Sequence, residues 1–318
     1  MRVRRSSALS LGDNWPVLVF AALFALDVAL KGRFTAFDLR TLCVNVLPLS
    51  LIALAQFFVV QARGIDLSLG PIASVASSCA ALLLTENMAV GFLVPIGVGA
   101  AAGLLNGVLV VGFALPPIIV TLATMSLWQG VALLVLPQPG GDIPEALPDI
   151  LSSSHVVPTA LWLIIAVFVV GTWVMSTRFG LHLRAIGDDP LAARMSGVRV
   201  RRVSMLAYTI AGVIAALSGI VLAIATSSGS PIIGDDYILV SIATVVLGGV
   251  PLVGGRGSVL GVIMGALTLT IIGSLLYFAQ ISSFYQSVIN GVILLAVVAS
   301  QTTRLWLLQM VGKRGQRA

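Results

Sequence analysis

The chain is 318 residues long, 58% hydrophobic and only 9% charged, with a net charge of +6 and a mean hydropathy of +1.08. A soluble domain carries about 25% charged residues, so this chain cannot cover a water-facing surface and lipid must be its solvent. That excludes a soluble enzyme, and it argues against nucleic acid as a partner, because the arginines flank apolar runs and mark topology.

A helix that crosses about 30 Å of hydrocarbon needs about 20 mostly apolar residues. Ten runs meet that need, at 15–31, 41–62, 67–85, 89–112, 116–136, 157–176, 203–226, 236–253, 257–279 and 284–303. The chain therefore reads as all-α, a polytopic integral membrane protein with about ten transmembrane helices. The first run follows Arg2, Arg4 and Arg5, but no small-residue cleavage site precedes Lys31, so it is read as a retained span. With the N-terminus in the cytoplasm, fifteen of the eighteen basic residues fall inside and only Lys31, Arg33 and Arg40 fall outside. An even number of spans then places both termini in the cytoplasm. The expected location is the inner (cytoplasmic) membrane, with lipid as a constant partner.

In chain order, Asp27 is the one acid deep enough in a span to suggest an ion path. Between the second and third spans lies Gly64-Ile65-Asp66-Leu67-Ser68-Leu69-Gly70. An ionised side chain at membrane depth should face water or a partner. Asp66 reads first as the cap of the third helix; the alternative is a bend that shapes the pathway or its inner gate. Pro48, Pro71 and Pro95 interrupt the apolar runs, and Pro116–Pro117 opens the fifth span. Each broken backbone bond must find a partner inside the protein. Residues 137–156 form a proline-rich outer loop that divides the chain near its middle, either a plain connector or a surface for an extracytoplasmic partner.

Residues 178–202 are the longest polar interval and hold six arginines. Within it, Asp188 and Asp189 suit a helix start. Pro190 suits the first helical position, and Gly197 a left-handed stop. Leu191 and Met195 share a face at i, i+4 spacing. A short capped helix with a small apolar face suggests that something docks there. Further on, Gly248-Gly249 and Gly254-Gly255-Arg256-Gly257-Ser258 make a tight re-entry that lacks GxxxxGK[ST] and so is no phosphate loop. Gly257, Gly261 and Gly265 recur every four residues, the spacing of close helix packing.

Asn45, Gln56, Asp66, Ser68, Asn106 and Thr121 are the candidates for a substrate pathway. Thr124, Gln129, Thr244, Gln286 and Asn290 are further polar residues within spans. Amides and hydroxyls donate and accept without charge, which suits a neutral, hydroxyl-rich solute. The competing account is hydrogen bonding between helices. Cys43 and Cys79 lack metal or disulfide spacing, and His155 and His182 are far apart, so no metal site is expected. No nucleotide motif, catalytic constellation or series of buried carboxylates is visible. A transporter so built needs its energy from another chain, and no catalytic residue or cofactor is expected in this one.

Taken together, these stretches resemble the permease subunits of bacterial ABC importers for monosaccharides, the ribose/xylose/galactose-type group. The resemblance is carried by Gly64 to Gly70, by Ala101-Ala102-Gly103-Leu104-Leu105-Asn106-Gly107, and by Pro116–Pro117 with Ile118 to Met125. It continues in Arg184-Ala185-Ile186-Gly187 with Pro190, Ala192–Ala193 and Ser196–Gly197, and in Leu247-Gly248-Gly249 to Gly257-Ser258. It covers roughly residues 45–300. Members often show Gly-Gly before Ile-Asp, where this chain has Arg63-Gly64, and Asn-Pro where it has Asp189-Pro190.

The resemblance implies one permease domain over 1–318, with halves at about 15–136 and 157–303 and a cytoplasmic coupling loop at 177–202. It implies a second permease, identical or homologous, and a cytoplasmic ABC ATPase that binds ATP and Mg. A periplasmic or extracytoplasmic sugar-binding protein completes the set. The coupling helix maps onto Asp189, Pro190, Leu191, Ala192, Ala193, Met195 and Gly197. The branched-chain amino-acid permeases look similar across 184–197 and are the rival reading; a coupled ion carrier is the more distant one.

Overall fold

A computed structural model describes residues 15–152 and 157–282, with scattered positions between 285 and 299. Much of the expected tenth span, the chain ends, His155, Gln286 and Asn290 lie outside the described residues. Twelve helices are described: α1 (Trp15–Lys31), α2 (Ala36–Gln61), α3 (Leu69–Leu83), α4 (Met88–Gly107), α5 (Pro117–Val135), α6 (Ala146–Ser152), α7 (Thr159–Ser176), α8 (Arg178–Asp188), α9 (Pro190–Met195), α10 (Val200–Thr226), α11 (Tyr237–Leu247) and α12 (Val259–Phe278). A π-helical turn, Val108–Gly112, prolongs α4.

Six of these are long and apolar enough to cross a membrane: α2, α4 with its π turn, α5, α7, α10 and α12. The expected third and eighth spans are shorter as helices. The 15 residues of α3 and the 11 of α11 rise about 22 and 16 Å, short of about 30 Å of hydrocarbon. The reason is glycine and proline punctuation, which stops α11 at Gly248–Gly249 and leaves unwound backbone on either side.

Helix α2 is the axis of the bundle. Every residue from Val46 to Gln61 is buried, which fits its apolarity on all faces. Helix α10 packs against α2, α3 and α4, while α12 and α7 cover other sides of α2. The α4–α10 crossing is close because glycines meet there. A Cβ on Gly99 would strike the Gly212 carbonyl, and one on Gly212 the Gly99 carbonyl. The expected stripe at 257, 261 and 265 is only partly a helix face. Gly261 and Gly265 abut the backbone of α11 at Gly248 and Thr244, but Gly257 precedes α12, at φ +116. Pro48 sits inside α2, and its carbonyl accepts the Ser218 hydroxyl at 2.8 Å.

The loop after α5 folds back onto the bundle. Gly140 and Gly229 exchange backbone hydrogen bonds of 3.0 and 2.8 Å, and Asp142 N–H donates to Ala81 O. Asp27 is buried beside Lys31, which donates to it at 2.9 Å and to Ser274 on α12 at 2.8 Å. This carboxylate is thus a tie between α1 and α12, neutralised within its own helix.

Candidate functional site

The unwound segment between α2 and α3 places five of the six pathway candidates in one junction. Its backbone must be satisfied without water, and side chains do this. With its carboxamide assigned in the orientation that satisfies both groups, Gln56 grips Asp66 twice: its nitrogen donates to Asp66 O at 2.9 Å, and its oxygen accepts from Asp66 N–H at 3.2 Å. Thr121, at the start of α5, donates to Ile65 O at 3.1 Å. The Asp66 Oδ1 accepts from Ser68 N–H (2.8 Å) and Ser68 Oγ (2.7 Å). From α4, Asn106 Nδ2 donates to Asp66 Oδ2 (3.1 Å) and to Ser68 Oγ (2.7 Å).

Gln56, Asp66, Ser68, Asn106 and Thr121 are all buried. Asp66 does not cap α3; the N-cap is Ser68, whose own side chain makes no capping bond. The carboxylate instead ties the unwound segment to α4. Burial pushes the Asp66 carboxyl above its ordinary range, while the bonds from Ser68 and Asn106 pull it down. The Tyr208 hydroxyl faces Gly64, where a Cβ would collide with it. It and Asn106 Oδ1 are buried without a hydrogen-bond partner among the described residues. These five residues join helices and present no open surface to a solute.

Asn45, the sixth candidate, lies elsewhere. It is exposed near the other end of α2, on an open cleft of about 570 Å³ also lined by Thr226, Asp235, Asp236 and Tyr237. On that cleft, Asp235 Oδ2 accepts from Gln129 Nε2 of α5 at 2.7 Å. Sixteen residues of α2 separate Asn45 from Gln61, a rise of about 24 Å, so junction and cleft sit at opposite ends of the same helix.

From Asp189 to Gly197 the polar interval folds as its punctuation indicates, whereas Asp188 does not start the helix but ends α8. Asp189 is the N-cap of α9, its carboxylate accepting from Leu191 N–H (2.8 Å) and Ala192 N–H (3.2 Å). Pro190 occupies the first turn, and Gly197 has φ +85. Leu191 and Met195 are 67% and 82% exposed, and Ala192 is exposed beside them. Ala193 is not part of that face: at 4% exposure it belongs to the core. The helix projects an apolar edge while its opposite side anchors it.

Three features escaped the sequence reading. Arg63 reads in the sequence as a topology marker and a departure from the family's Gly-Gly, yet its guanidinium donates to Gly187 O (2.9 Å) and Asp188 O (3.0 Å). Gln61 donates to Arg256 O at 2.8 Å, so the end of α2 also holds the glycine loop before α12. The spacing of Gly99, Gly103 and Gly107 was legible by the same rule that singled out 257–265.

A bundle of long apolar helices around a buried axial one, with unwound segments satisfied by its own amides and a short helix displayed at one end, has the build of a polytopic membrane permease. The chain belongs to the branched-chain amino acid transport system / permease component family, whose family model matches residues 39–298. It is 37% identical over 292 residues to the autoinducer 2 import system permease protein LsrC of Klebsiella pneumoniae subsp. pneumoniae, covering 87% of this chain and 82% of that protein. It is 32% identical over 260 residues to the ribose import permease protein RbsC of Escherichia coli K12, covering 78% and 80%. With RbsC of Haemophilus influenzae it shares 29% over 271 residues, 82% of each chain. No solved structure matches the chain.

Proposed function

We propose that the chain is the permease subunit of an ATP-driven importer that carries a monosaccharide across the inner membrane. In this reading the protein has about ten spans with both termini in the cytoplasm, and residues 1–318 act as one domain. Its ATP and Mg belong to a cytoplasmic ABC ATPase. An extracytoplasmic binding protein delivers the sugar, and a second permease copy or homologue completes the pathway. The alternation of inside and outside charge supports the topology, because Arg63, Arg256 and the arginines of 178–202 then share the cytoplasmic side.

The observation that carries the proposal is α9: a helix capped at both ends, anchored by Ala193, with Leu191 and Met195 exposed at an end of the bundle. An apolar edge so held transmits a push from a partner. Asp189, Pro190 and Gly197 shape the helix, while Leu191, Ala192 and Met195 meet the ATPase. On the opposite side of the membrane, the cleft beside Asn45 offers an amide, carboxylates and a hydroxyl to a sugar. Of the three relatives, the two ribose import permeases support the sugar directly, and the 37% identity with LsrC favours autoinducer 2 as a second reading of the cargo.

The test is uptake of labelled ribose, autoinducer 2 and leucine by cells that express the complete importer, with wild type compared against Leu191→Glu/Met195→Glu. Uptake of ribose or autoinducer 2 that the double variant abolishes, while the protein still inserts, supports the proposal. Leucine uptake alone transfers the chain to the amino-acid carriers. Undiminished transport by the double variant removes α9 from the mechanism. Collapse of the ion gradient with ATP maintained leaves an ATP-driven importer running and stops a coupled ion carrier.

A further inference from the structure

Helix α2 ends in a Schellman arrangement. Gly64 N–H donates to Val59 O at 3.0 Å and Arg63 N–H to Val60 O at 2.9 Å, with Ala62 as the C-cap. The residue after the C-cap must be left-handed, and glycine is the usual occupant. Here that residue is Arg63, at φ +63, with glycine one place later. The backbone of α2 gains nothing from arginine at this point, since left-handed geometry is costly for a residue with a Cβ. The compensation lies in what the side chain reaches.

It reaches the last carbonyls of α8. Gly187 O and Asp188 O belong to the set that a helix C-terminus leaves without intrahelical partners, and the guanidinium takes both. The next residue, Asp189, is the N-cap of α9. The same corner is tight on its other side, where a Cβ on Gly187 would strike the backbone of Gly255. Towards the membrane, Arg63 is followed at once by Gly64, Ile65 and Asp66, the segment that Gln56, Thr121 and Asn106 hold. One residue therefore bridges the corner before α9 and the buried polar junction.

We propose that Arg63 is a positioning residue: its guanidinium locks the α8–α9 corner to the end of α2, so that a displacement of α9 reaches the Asp66 junction instead of being lost in a loose corner. This rests on the reading of α9 as the coupling helix. The clamp sets how much of the nucleotide-driven motion the membrane helices receive, and it leaves ATPase binding to Leu191 and Met195.

The experiment is amide hydrogen exchange on the complete permease–ATPase complex in lipid nanodiscs, with and without ATP and vanadate. Wild type is compared with Arg63→Gly and Arg63→Lys. Glycine suits the left-handed position, so Arg63→Gly keeps its thermal midpoint and separates the clamp from folding. In that variant, exchange at 187–192 accelerates about tenfold or more through loss of two charge-assisted bonds. The nucleotide-induced change at α9 persists, while the change at 64–69 falls by about threefold or more on the same reasoning. Arg63→Lys, which keeps one charged donor, falls between. An Arg63→Gly complex whose 64–69 segment responds as in wild type overturns the clamp alone. A wild-type complex whose α9 amides ignore the nucleotide overturns the coupling reading and the clamp with it.

Discussion

The junction makes a quantitative demand on Asn106. Its amide nitrogen donates to the Asp66 carboxylate at 3.1 Å and to the Ser68 hydroxyl at 2.7 Å, with all three side chains buried. A net hydrogen bond to a charged group is worth about 1.5–3 kcal/mol, and a neutral one about 1 kcal/mol. The 3.1 Å separation is long for a charge-assisted bond, which favours the lower end. Asn106→Ala should therefore cost about 2.5–3.5 kcal/mol, adding one charged and one neutral bond.

The informative quantity is the coupling within the cycle of wild type, Asp66→Ala, Asn106→Ala and the double variant. Interhelical hydrogen bonds in membrane proteins average about 0.6 kcal/mol by such cycles. A buried bond to a carboxylate should exceed that, at about 1.5 kcal/mol. The assay is reversible unfolding of the four purified proteins in mixed micelles with increasing denaturing detergent. A coupling energy at or below the ordinary average would refute the role of Asp66 as the hydrogen-bonding centre of the junction.

Three further outcomes follow from particular contacts. Lys31→Met leaves the buried Asp27 without its cation and should cost about 3 kcal/mol, whereas Asp27→Leu/Lys31→Met recovers most of it; the same unfolding assay reads both, and ATP-dependent uptake persists in the double variant. Gly212→Ala drives a methyl group into the Gly99 carbonyl and should destabilise by about 1–3 kcal/mol. Gly130→Ala, with open space around it, should be neutral or stabilise by up to about 1 kcal/mol, so equal thermal midpoints for the two glycine variants would contradict the packing. Gln129→Met removes the donor to Asp235 and should lower uptake while the ATPase still copurifies in normal amount; uptake at the wild-type rate would show that this bond has no part in transport.

Local chemistry made the helices legible. Apolar runs, Pro117 at the opening of α5 and the Asp189-Pro190 to Gly197 punctuation act within a few residues of themselves, so α5 and α9 lie close to where the pattern puts them. Depth and partnership were not legible. Asn45, Gln56 and Asn106 look alike in a sequence, yet one faces a cleft and two are sealed between helices, because only the packing of α2 against its neighbours decides which face is covered. Ala193 sits in the same small-residue run as Ala192 and turns the other way. Arg63 was hidden by the strongest of the sequence rules, since a basic residue at a span end is already explained by topology.

The arrangement singles out α5 as the link between the two ends of the molecule. From Val46 to Gln61 helix α2 is buried, packed by α10, α12 and α7, so a force on its end cannot bend it alone. Most of the surface of α5 is exposed, and its chief neighbour within the chain is α3. Yet α5 carries two specific polar ties. Thr121 joins it to the unwound junction at Ile65, and Gln129, two turns further on, joins it to Asp235 on the cleft. Eight residues span about 12 Å, so a movement of the junction reaches the cleft wall along a single rigid rod. An exposed helix held by one bond at each functional end can tilt at less cost than an axial helix can bend. The buried stretch of α2 is therefore the fixed axis of the bundle, and α5 is the helix that can tilt against it.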